Sequence, residues 1–223
     1  MDTLLPPDPE LELLHTRTYE VRSYRKDERT MMIRGAVRDM KPAGMMLEDD
    51  PDPLTIHHMI VEIDVTVPAM DITRAEVVFE ERPHTLCTHI VPHYEKLVGL
   101  SIARGFTHKV RELFGGPRGC THVTALLQAM APVANQSRFS LMASSRRAAA
   151  AASGASGGAM SAPTIEQRMA MMAGNLNTCH VWDEDGEMVD GVRNGKEHEA
   201  PLWIGKRLAA LGRDPQSWSS PVA

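Results

Sequence analysis

Residues 54–68 constrain this chain more than any other stretch. They read Leu-Thr-Ile-His-His-Met-Ile-Val-Glu-Ile-Asp-Val-Thr-Val-Pro. Met59, Val61, Ile63, Val65 and Val67 share one parity; His58, Ile60, Glu62, Asp64 and Thr66 share the other. Successive side chains of a strand point to opposite faces. The run therefore predicts a strand with one apolar and one mostly polar face, the signature of an antiparallel sheet wet on one side. Pro68 ends it, because proline lacks the donor a ladder needs. Upstream, Met31, Ile33, Gly35 and Val37 alternate with Thr30, Met32, Arg34, Ala36 and Arg38, predicting a strand over Thr30–Asp39. Two more strands are expected from Leu13 to about Arg25 and from Ile72 to Glu80. The acids Glu62 and Asp64 read as residues of a solvated face. His57 and His58, adjacent in a strand, must split across its two faces.

After Pro83 the apolar period changes from two to three and four, which is helical. Ile90, Val91, Tyr94, Leu97, Val98, Leu100 and Ile102 predict a helix within 84–104, with Pro92 near its first turn. Phe106–Phe114 predicts a shorter helix, ended by Gly115-Gly116-Pro117. A third helix is expected from about Thr121, with Val123, Leu126, Leu127 and Met130 buried and Pro132 as a kink or an end. The fold class is α+β: an N-terminal antiparallel sheet packed against a helical C-terminal half. Residues 1–11 form a loose lead-in, and 12–143 hold the sheet and helices. Residues 144–163, rich in Ala, Ser and Gly, read as a flexible insert. Residues 164–223 carry a helix capped by Thr164, a small hairpin starting at Cys179-His180-Val181-Trp182, and a last helix over Pro201–Leu211. The last helix should present Trp203, Ile204, Leu208 and Leu211 on one face.

Three cysteines and ten histidines supply the chemistry. Every cysteine has a histidine within two residues: Cys87 with His89, Cys120 with His122, Cys179 with His180. Thiolate and imidazole are ligands of zinc and iron. The spacings match no zinc finger, so a site of Cys87, Cys120 and Cys179, with His122 or His180 as a fourth ligand, needs the fold to gather distant segments. Cys120 follows a glycine at a helix start, where the dipole and free amides favour a thiolate. The same place suits an anion, with Arg118 assisting. As a nucleophile, Cys120 would need a base from elsewhere, because a helical His122 two positions on faces away from it. Three buried cysteines acting as small hydrophobes remain the plain structural alternative.

Composition narrows the class. The net charge of -5 lacks the basic face of a nucleic-acid binder. No run of about 18 apolar residues is present, so no membrane span is expected. The first residues resemble no secretory signal, which points to the cytoplasm. An odd number of cysteines there suits free thiols or metal ligands.

Leu97-Val98-Gly99-Leu100, Gly105-Phe106, Gly115-Gly116-Pro117-Arg118-Gly119-Cys120-Thr121-His122 and Asn177-Thr178-Cys179-His180 resemble the bacterial domain-of-unknown-function family number 2889. The resemblance extends from about Thr16 to Leu208 and implies no activity. At the level of fold the chain is also similar to the U-type iron–sulfur scaffold proteins, through Gly119-Cys120 at a helix start. Cys87 and Cys179 match that scaffold in order alone. The expectation is therefore a protein that binds zinc or an iron–sulfur cluster through its cysteines. The alternatives are a partner-binding protein without a site and a cysteine-dependent enzyme.

Overall fold

The computed structural model describes residues 4–152, 164–196 and 201–215. The chain divides into two compact units, Met1–Leu141 and Met142–Ala223.

The first unit is built on four antiparallel strands in sequence order: β1 (Thr16–Arg25), β2 (Thr30–Lys41), β3 (Leu54–Thr66) and β4 (Ile72–Glu81). The alternation of β2 and β3 is realised as expected. Met31, Ile33 and Val37 of β2 and Met59, Val61, Ile63 and Val65 of β3 are buried. The same inward parity continues to Asp39, which is 1% exposed. Val77 and Phe79 complete the inner face from β4. One irregularity lies next to Asp39. Asp39 pairs with His57, but Met40 pairs with Thr55, so Ile56 is an extra residue in β3. Such a bulge twists a strand locally and re-aims its side chains.

The helices cover the inner face. Val123, Leu126, Leu127 and Met130 of α2 (Thr121–Ala152) are fully buried, as their spacing predicts. The contact is close at Gly35. A Cβ there would lie 2.9 Å from Met130 Sδ and 3.0 Å from Leu126 Cδ1. α1 (Phe106–Phe114) buries Phe106, Val110 and Phe114.

Several expectations change. The segment 84–104 is not an α-helix. Thr85–Leu97 forms a 3-10 run that buries Tyr94 and Leu97 three residues apart. Pro92 lies inside it, and an α-helix there would drive the proline ring into the carbonyl four residues earlier. The following residues serve the sheet instead: Gly99 and Leu100 bond Ile72 through its carbonyl and N–H. Pro132 does not end α2. Buried Leu127 and Met130 before it, and Ala134 and Leu141 after it, hold one stripe in place, and that burial outweighs the roughly 3 kcal/mol cost of an internal proline. The expected insert begins as helix, through Ala152, because alanine is the best helix former; residues 153–163 lie outside the described residues.

In the second unit α3 (Ile165–Met172) starts at Thr164 with the expected cap, completed as a capping box by Gln167. The hairpin is corrected. His180–Trp182 is a 3-10 turn and Glu187–Arg193 is a helix, α4. Val189 and Val192 lie three apart, a helical spacing, and bury against Met172. α5 spans Leu202–Ala210 and buries Leu208, while Trp203 is 71% exposed. No helix among the described residues is long and apolar enough to cross a membrane.

The outer face of the sheet carries an ion-pair network. Glu62 pairs with Arg34 at 2.6 Å and also with Arg74. Asp64, buried rather than solvated, pairs with Lys26 at 2.6 Å and Arg74 at 3.1 Å. Burial pushes the Asp64 carboxyl up, but Lys26 and Arg74 together outweigh it and leave it below its ordinary value. A carboxyl lowered in the folded state contributes stability above its unfolded pKa of about 3.9, and that contribution is lost as pH falls. Urea midpoints measured from pH 6 downward should therefore decline below about pH 4. Asp64→Asn should flatten part of that decline; an unchanged acid limb would remove Asp64 from its causes.

Candidate metal centre

One row of residues crosses the inner face near the end of the sheet. Arg17 of β1 pairs with Asp39 of β2, and Asp39 pairs with His57 of β3. Directly paired residues project from the same face within contact distance. Arg17 grips the carboxylate with both arms, Nε donating to Oδ1 at 2.6 Å and Nη2 to Oδ2 at 2.7 Å. His57 Nδ1 lies 3.2 Å from Oδ2. His15, just before β1, places Nε2 3.3 Å from Oδ1. From α2, His122 brings Nε2 to 3.1 Å from Oδ2. The His57 and His122 rings stack with centroids 3.9 Å apart.

The Arg17 guanidinium holds the Asp39 carboxyl far below the usual carboxylate range, against the opposing effect of burial. Asp39 is therefore an acceptor only. Burial, and then the neighbouring His57, lower His122 below its ordinary value, and the attraction of Asp39 does not make up the difference. A neutral imidazole facing an ionised carboxylate carries its proton on the facing nitrogen. In the metal-free protein His122 Nδ1 is then the unprotonated nitrogen. It faces Cys120 Sγ at 3.6 Å.

That contact corrects the expectation that His122 turns away from Cys120. The carbonyl of Cys120 accepts the first helical bond, from Thr124 N–H at 2.9 Å. Cys120 is therefore the N-cap and not a helical residue. An N-cap side chain folds back over the first turn, toward the second and third helical positions. His122 is the second.

The glycine-rich turn places this helix start. A Cβ on Gly119 would lie 2.3 Å from the Phe114 carbonyl oxygen, so the backbone passes where no side chain fits. Cys120 N–H donates to the Tyr94 hydroxyl at 2.8 Å. Burial pushes that hydroxyl's pKa up to about 12, so it stays a neutral partner. Gly119→Ala is expected to destabilise the protein by about 1–3 kcal/mol and to weaken any ligand held by His122. Chemical denaturation and calorimetric titration would check both, and a neutral outcome would show that the turn yields freely.

The residues expected from sequence are distributed as follows. Cys87 lies in the 3-10 run, half-buried against the core of the first unit, as is Cys120. Cys179 and His180 are exposed in the second unit. Arg118 donates through Nε to the Glu112 carbonyl at 3.0 Å and so caps the end of α1. Among the described residues, one group brings metal-ligating atoms together: Asp39, His57 and His122, within 4.8 Å of one another. It shares His122 with the expected set and contains no cysteine. Asp39 and His57 had a signal in the sequence. Both sit on the inward parity of strands whose other inward residues are apolar.

A buried carboxylate met by imidazoles from a neighbouring strand and a covering helix defines the class: an α+β domain with a His/Asp candidate metal centre. The chain belongs to the family described as proteins of unknown function, DUF2889, whose model matches residues 15–136. The matched span starts at His15, contains Arg17, Asp39, His57, Cys120 and His122, and stops before Cys179. No curated protein and no solved structure matches the chain.

Proposed function

We propose that this protein binds one divalent transition-metal ion through Asp39, His57 Nδ1 and His122 Nε2. The convergence of three donor atoms from β2, β3 and α2 within 4.8 Å carries the reading. Tetrahedral ligand bonds of about 2.0–2.2 Å put donors about 3.3–3.6 Å apart, so the imidazole contacts to Asp39 at 3.1 and 3.2 Å already fit, and the widest separation, up to 4.8 Å, has to close by about 1 Å. Two imidazoles and a carboxylate suit zinc with an open position, or iron(II) in a facial triad. The open position supports an enzyme more than a closed structural site. Metal on His122 Nε2 moves that ring's proton to Nδ1, where the Cys120 sulfur can accept it. Cys120 then supports a ligand, and Cys87, Cys179 and His180 are outside the centre. This replaces the sulfur-rich zinc or iron–sulfur site expected from sequence.

Calorimetric titration of the metal-free chain with zinc, and with iron(II) under nitrogen, is the test. One ion per chain is expected, with binding lost in His57→Ala and retained in Cys179→Ser. Loss in Cys179→Ser with retention in His57→Ala would return the site to the cysteines.

A second reading draws on one further observation. Cys120 Sγ, the two nitrogens of His122 and Asp39 Oδ2 lie in series, at 3.6 Å and 3.1 Å. Thiol, imidazole and carboxylate in that order are the parts of a cysteine nucleophile with an oriented base. The two readings compete for His122 Nε2. A chain that binds no metal, yet whose Cys120 is alkylated at least about tenfold faster than in His122→Ala, would favour this one.

A further inference from the structure

We propose that the metal-loaded centre takes a small oxyanion, a carboxylate or phosphate group, held between the metal and the Arg17 guanidinium. The inference rests on the metal reading above and assigns its ligand class. Charge is the first argument. Asp39 and Arg17 cancel, and an imidazole that ligates a metal does so uncharged. A divalent cation added to that set leaves two positive charges at one end of the sheet, balanced by no other ligand of the centre. Arg17 grips the same Asp39 carboxylate that would hold the metal, which puts its guanidinium beside the centre.

The second argument is competition for one oxygen. Asp39 Oδ2 is faced by His57 Nδ1 at 3.2 Å, His122 Nε2 at 3.1 Å and Arg17 Nη2 at 2.7 Å. A cation seated between the two imidazoles takes Oδ2 in place of their contacts, and it repels the Arg17 guanidinium away from its Nη2 bond to the same oxygen. Arg17 can keep its bond from Nε to Oδ1, which is 2.6 Å long and lies on the other oxygen. The released Nη2 is then a charged donor beside the metal's open position. A planar guanidinium edge matches the spacing of two oxygens of a carboxylate or phosphate. Access is available, because the Arg17 side chain is 37% exposed and that of His15 on the same carboxylate is 35% exposed. The anion therefore completes two partners at once. It supplies the metal's missing ligand, and it replaces the half of the carboxylate that Arg17 gives up.

The test uses the full chain loaded with cobalt(II), whose visible spectrum reports its ligands. Cobalt uptake is first measured by calorimetry in wild type, Arg17→Leu and Arg17→Lys, with circular dichroism to confirm the fold. Inorganic phosphate and, separately, acetate are then titrated in. A saturable spectral change is expected, at least about tenfold weaker in Arg17→Leu and partly recovered in Arg17→Lys, which restores the charge without the fork. The stronger of the two anions identifies the group. Cobalt bound with a spectrum indifferent to both anions would overturn this inference and leave the metal reading standing. An equal response in Arg17→Leu would place the anion on the metal alone and also overturn it. No cobalt uptake by wild type would overturn the metal reading and this inference with it.

Discussion

Asp39→Asn is expected to abolish metal binding and to cost about 2–3 kcal/mol of stability. Asparagine keeps the shape and one carbonyl oxygen, so the change isolates charge. Asp39 is 1% exposed and receives both arms of Arg17. Removing one member of a buried ion pair typically costs roughly 3–5 kcal/mol, because the other charge is left uncompensated. Here the Arg17 side chain is 37% exposed, so water can recover part of that cost. The acid limb provides a second readout. The folded Asp39 carboxyl is held well below its ordinary value, so its contribution is present above about pH 3.9 and is lost as pH falls. Asp39→Asn should lack that part of the acid destabilisation. The loss of metal affinity should exceed the roughly 10–100-fold typical of removing a group that merely supports a ligand. Calorimetry and urea unfolding across pH would measure both effects. Unchanged cation affinity would remove Asp39 from the ligand set, whatever happens to stability.

Phe114→Ala is expected to cost about 3–5 kcal/mol, the largest stability loss predicted for this chain. The ring is 1% exposed. It stacks on Tyr94 at 4.9 Å and meets His93 edge-on at 5.5 Å. Aromatic pairs add about 0.5–1.5 kcal/mol beyond area burial. The Phe114 carbonyl also accepts the Thr124 hydroxyl at 3.1 Å, tying the end of α1 to the first turn of α2. Alanine keeps that carbonyl but leaves Tyr94 without its stacking partner, and Tyr94 anchors the N–H of Cys120. The variant should therefore lose metal affinity as well as stability, although no ligand atom is removed. Phe114→Leu, which refills most of the space, should recover most of both. A cost below about 1 kcal/mol for Phe114→Ala would show that the ring is not what holds the helix start.

The sheet was legible because its signal is local. Inward residues of β2 and β3 repeat every second position, and no distant contact is needed to read them. The same holds for α1, for the buried stripe of α2 and for the Thr164 cap. Errors fell where tertiary burial competes with local preference. Of the two readings of Pro132, a kink or an end, the end fails, because the stripe from Val123 to Leu141 carries α2 through it. Val189 and Val192 fit a helix, but Cys179-His180-Val181-Trp182 before them suggested a strand. The centre was half legible. The Cys-Thr-His triplet marks His122, whereas no motif marks Asp39 or His57. Their inward parity was visible, but their convergence was not.

The sequence by itself determined the class of fold, the four strands and which face of β2 and β3 is apolar. It also placed a cysteine at a helix start with a histidine beside it. Only the tertiary structure decided that Arg17, Asp39 and His57 stand in one row and that His122 closes over them. Alternation specifies which face a residue occupies. It does not specify which residue of the next strand lies opposite, and that register is set by how three strands and a helix pack together.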